Sequence, residues 1–129
     1  MFVVGTLLLG NAWAVVDAKF AVVDAARAGA RAYVQADDQI IAETTATRAE
    51  RAAMAGHHRS HDAVSYPEPV VRPRFERCAR VEVTVRDLVP AVELPFVGGV
   101  GHGFSVVGVQ RELIDPYRSG PAAGSACAG

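Results

Sequence analysis

The chain changes period partway along. Up to about residue 56, apolar positions recur at helical spacing; from residue 80 they alternate. The opening run, MFVVGTLLLGNAWAVV (1–16), carries no charge, and Thr6 and Asn11 are its polar side chains. The helical period continues through DAKFAVVDAARAGARAYV (17–34). At 100° per residue, Ala14, Ala18, Ala21, Ala25, Ala28 and Ala32 form one stripe. Asp17, Asp24, Arg27 and Arg31 gather on a neighbouring stripe, while Val15, Val22, Gly29 and Tyr33 lie on the opposite side of the alanines. The pattern predicts one helix from near Phe2 through Tyr33, with Asp24 placed to pair with Arg27 one turn on. Small residues let helix backbones approach closely, so the alanine stripe is a candidate helix-packing interface.

QADDQ (35–39) interrupts this helix, and Asp37 or Asp38 is suited to cap a second one. That helix is expected to run to Gly56, a stop residue. Ala42, Ala46, Ala49 and Ala53 share one face of it, with Glu43, Glu50 and Arg51 largely elsewhere, and its threonines weaken its middle. A polar loop follows, broken by Pro67, Pro69 and Pro73. RVEVTVRDLV (80–89) then alternates charged or polar residues with Val81, Val83 and Val85, the pattern of a half-buried strand facing helix. AVELPF continues as a short extended piece, VGGVGHG reads as a glycine-rich turn, and FSVVGVQREL (104–113) is the second main strand. The two strands are expected to pair antiparallel. The fold class is therefore α+β: an anchor and packing helix over 1–35, a small head over 36–118, and a flexible tail over 119–129.

Hydrophobic residues make up 50% of the chain but aromatics only 7%, so a large soluble core is hard to assemble. The formal net charge of −1 gives no polybasic footprint for nucleic acid. The uncharged N-terminus fits three readings. A spanning helix needs roughly 20 apolar residues, a length completed here by snorkelling of Lys19 and by the residues around Phe20. A signal peptide is the rival, with an Ala-x-Ala pattern at Ala12 and Ala14 but no charged n-region. A buried soluble helix is the third. The anchor and signal readings both export the head. The two cysteines, Cys78 and Cys127, then either pair, bridge to another chain or stay free.

No catalytic constellation emerges. In the GGVGHGF turn the third glycine of a dinucleotide loop is misplaced, and a strand follows where a helix is needed. His57 and His61, with His58, Asp62 and the distant His102, have the residue types of a zinc site. Gly56 ends the helix before them, so their spacing loses its meaning. Ser60, His61 and Asp62 are consecutive, and a triad is built from separate elements. Neither cysteine has an identifiable base beside it. The expectation is no enzyme, no metal, no cofactor and no small-molecule substrate.

The ordered features together resemble the TadE-like proteins, minor pilin-like components of the tight-adherence pilus system. The AAR-x-GAR run (Ala25, Ala26, Arg27, Gly29, Ala30, Arg31) and the closing DPYRSG (115–120) carry the likeness. It implies a single-pass membrane protein with its C-terminal head outside the cytoplasm, acting structurally in pilus or secretion assembly. Its partners would be other pilin-like subunits and membrane components. Asp17, Asp24, Arg27 and Arg31 would then set register between subunits. The family usually begins with a basic leader and a glutamate near the start of the apolar helix; neither precedes Asp17 here, so the expectation is that the native reading frame extends upstream of Met1. The alternative is a secreted α+β interaction domain with a signal cleaved at about Ala14.

Overall fold

The computed structural model describes residues 2–59, 75–89, 92–94, 98–100, 103–124 and 127. Helix α1 runs Phe2–Val34 and helix α2 Gln39–Gly56. Strands follow at β1 (Arg80–Val89), β2 (Val92–Leu94), β3 (Gly98–Val100) and β4 (Phe104–Leu113). The class is α+β, and both helices and both long strands occupy the ranges that periodicity predicts. Asp38 caps α2: its Oδ1 accepts the amide of Ile41 at 2.9 Å. That satisfies one of the donors a helix start leaves unpaired. After Gly56 the chain leaves the helix, and His58 takes a positive φ of 56°. The proline-rich loop, from residue 60 to residue 74, lies outside the described residues. The glycine-rich turn is shorter than the sequence suggests: Gly98–Val100 forms β3 and pairs antiparallel with β2.

β1 and β4 pair antiparallel from Arg80 opposite Leu113 to Val89 opposite Phe104. Alternation places Val81, Val83, Val85 and Val89 on one face, all buried. The second half of α1 lies across that face, and α2 packs beside it. Gly108 marks the closest approach: a Cβ there would stand 2.3 Å from the Val22 carbonyl oxygen. Only glycine lets a helix backbone settle this near a strand. Ala18, Ala21, Val22, Ala25, Ala26, Ala30 and Tyr33 from α1 join Ala42, Ala46 and Met54 from α2 in one core. The core contribution of α1 begins at Ala18. The head is built around the C-terminal half of the same helix whose N-terminal half projects from it.

The described residues of the C-terminal segment, 115–124 and 127, make specific contacts with the head. Asp115 turns the chain by accepting the amide of Tyr117 at 2.8 Å. Arg118 then reaches the end of α1, donating to the carbonyl oxygens of Val34 (2.8 Å) and Gln35. A cation on these orphan carbonyls is the complement a helix C-terminus calls for. Gly120, at φ 113°, passes close against the Asp37 carbonyl. Ala122 forms a parallel bridge with Glu76, and Cys127 is disulfide-bonded to Cys78 with the Cα atoms 5.3 Å apart. The bond closes a loop of sequence separation 49 and holds the segment against the start of β1.

Candidate membrane and packing surface

α1 has two environments. No described residue before Ala18 is buried. Phe2 is 91% exposed and Trp13 72%, and Val3, Val4, Leu8 and Leu9 are exposed as well. Much of the arm's apolar surface is therefore exposed. α1 is long and apolar enough to cross a membrane by length and composition. Contiguous exposed apolar surface on this scale marks an interaction site.

A collar of charge surrounds the point where the arm joins the head. Arg59, just after α2, makes an ion pair with Asp87 of β1 at 2.5 Å. It also donates to the Ala14 carbonyl at 3.2 Å and lies 3.6 Å from the Asp17 carboxylate. Asp87 is buried on the helix-facing side of β1 among valines, so Arg59 supplies the opposite charge its carboxylate needs there. His57 lies 3.2 Å from Asp24 and 3.8 Å from Asp17. Lys19 donates to the Val107 carbonyl of β4. Its ammonium is thus tied to the sheet, which corrects the expectation that it snorkels from the arm. The collar fixes α1 to α2, β1 and β4 at one level.

The predicted packing residues divide. Ala18, Ala21 and Ala25 are fully buried within the chain, whereas Ala14, Ala28 and Ala32 are half-buried. The buried arc of α1 is centred ~70° from the alanine stripe, rotated toward Val22, Ala26, Gly29 and Tyr33. Of the predicted register charges, Asp17 and Asp24 face His57 and Arg59 of the same chain, Asp24 also pairs with Arg27 at 3.8 Å, and Arg31 is exposed.

Two residues of this packing escape a periodicity reading. Glu50 sits inside the α1–α2 contact, not on its outer face. Its Oε1 has no hydrogen-bond partner, and burial pushes its pKa up to about 7 against the lowering effect of Arg51. It fits because position 29 is glycine: a Cβ there would lie 2.4 Å from Glu50 Oε1. Tyr33 packs edge-on against Phe75, ring centroids 5.6 Å apart. Burial raises the pKa of its phenol, with Glu43 adding to the effect.

Among the described residues, no group of three His, Cys, Asp or Glu side chains is placed to hold a metal ion. His57 lies with Asp17 and Asp24; His61, Asp62 and His102 fall outside the described residues. No family model, no curated protein and no solved structure matches the chain.

Proposed function

We propose that this chain is a single-pass, outward-facing structural subunit of the TadE-like, pilin-like kind, working in assembly of a tight-adherence pilus or related secretion apparatus. The observation that carries the reading is the continuity of α1. One helix supplies both an exposed apolar arm and the central element of the head. A subunit built this way is stored with its arm in lipid, then exchanges lipid for neighbouring helices without unfolding its head. The Cys78–Cys127 disulfide supports an oxidising, extracytoplasmic setting for the head. The test is a photo-crosslinking amino acid at Leu9, in full-length protein in its native membrane. Adducts with other single-pass subunits, in a fraction that resists alkaline extraction, are expected. Lipid adducts alone remove the assembly role, and release by alkali removes the anchor.

A second reading is favoured by the start of the core at Ala18. A signal cleaved after Ala14 would leave every buried residue of α1 in place, giving a secreted α+β interaction domain. The intact mass of the mature protein separates the two: loss of the residues through Ala14 selects the secreted form.

A further inference from the structure

The end of the β1–β4 ribbon lies beside the arm. β4 and α1 run in the same direction: Lys19 bonds Val107, Val22 touches Gly108, and Arg118, just past β4, reaches Val34. From Gly108 back to Phe104 is ~13 Å of strand, which matches about nine residues of helix. That places Phe104 level with Trp13. A separate contact agrees. Asp87, opposite Val106, shares Arg59 with the Ala14 carbonyl, two residues of strand before Gly108.

At this level the ribbon end exposes large apolar side chains. Phe104 is 57% exposed and Leu88, one residue from its end of β1, 59%. Trp13 is exposed on α1. β2 and β3 connect the two strand ends, and β2 also comes up against α1.

From this juxtaposition we infer that the β1–β4 ribbon end, at Leu88 and Phe104, forms a second lipid contact, seated in the headgroup region beside the arm. The proposal rests on the arm being inserted in a bilayer. Depth follows from backbone chemistry. A short ladder with open edges cannot enter hydrocarbon, where its unpaired amide and carbonyl groups find no partner; the wet interface accepts it. Exposed aromatics level with one another at that depth are the pattern of an interfacial belt. The contact would fix the tilt of the head on the membrane, which a single helix alone leaves free to rotate.

Trp13 is the chain's one tryptophan, so its emission reports on the arm directly. The experiment reconstitutes full-length protein in phosphatidylcholine vesicles containing lipid brominated near the top of the acyl chain. The probes are the parent chain and, in a Trp13→Phe background, Phe104→Trp and separately Leu88→Trp. Both positions are exposed, and circular dichroism with an intact disulfide checks each fold. Interfacial seating ~5–10 Å into the headgroup boundary brings the ring within reach of the bromines, giving a roughly twofold loss of emission at Trp13 and at both head positions. Quenching at Trp13 with none at either head position overturns the second contact and leaves the anchor standing. No quenching at any position overturns both.

Discussion

Glu50 shows how one side chain can tie the fold to pH. It is 4% exposed, and its carboxyl keeps a proton to about pH 7 because burial penalises the charge. The unfolded chain releases that proton near the ordinary glutamate value of 4.5. Between these values the unfolded state binds fewer protons than the native state, so stability falls as pH rises through that window and levels off above it. Glu50→Gln removes the titration. At pH 8 the variant is expected to exceed the parent by roughly 1–3 kcal/mol, with almost no difference at pH 4. Urea denaturation across pH 4 to 8 measures this, and parallel curves for the two proteins would show that the carboxylate ionises freely in the fold. At the same scale, the Asp38 cap and the Asp24–Arg27 pair are readable in sequence because partner and group lie within one turn. Glu50 is not, because the space it fills is made by Gly29 on a different helix.

The elements themselves were legible because each has a strong period and clear punctuation: Asp38 and Gly56 bound α2, and alternation marks β1. What periodicity misplaced was the buried arc of α1. A helix facing one neighbour buries one stripe, but α1 faces both α2 and the sheet, so its arc is wide and centred between them. Gly108 is where the sheet sets that rotation. Its missing side chain admits the Val22 carbonyl, and Gly108→Ala forces helix and strand apart along a close-packed line. The expected cost is about 1–3 kcal/mol, the range for overpacking a tight contact. Gly10→Ala is the control, since nothing lies within 4 Å of a Cβ there. Denaturant midpoints of both variants in the same detergent check the pair. Equal midpoints would mean that α1 does not sit on Gly108.

At the scale of the whole molecule, the two ends carry different loads. The arm and the ribbon end lie at one pole, where the charged collar holds α1 to its neighbours. Arg118, the Glu76–Ala122 bridge and the disulfide lie at the other, around the end of α1 and the start of β1. Sequence could offer two cysteines but not their pairing, because the tail has no periodicity to place Cys127; the placement comes from Arg118 docking on α1 and drawing the chain back past Arg77. Sites this far apart, with no shared partner, should contribute additively. Removing residues 2 to 12 spares the Ala14 carbonyl that Arg59 holds, and every buried residue of α1 lies beyond the cut. The shortened protein is therefore expected to keep its head, its disulfide and its denaturant midpoint while losing vesicle binding. Reducing Cys78–Cys127 should instead lower stability by about 2–4 kcal/mol, chiefly by freeing the unfolded chain. The loss should be the same with the arm present or removed. A reduction penalty that disappears on truncation would show the two poles to be one cooperative structure, with the arm folded onto the head and not projecting from it.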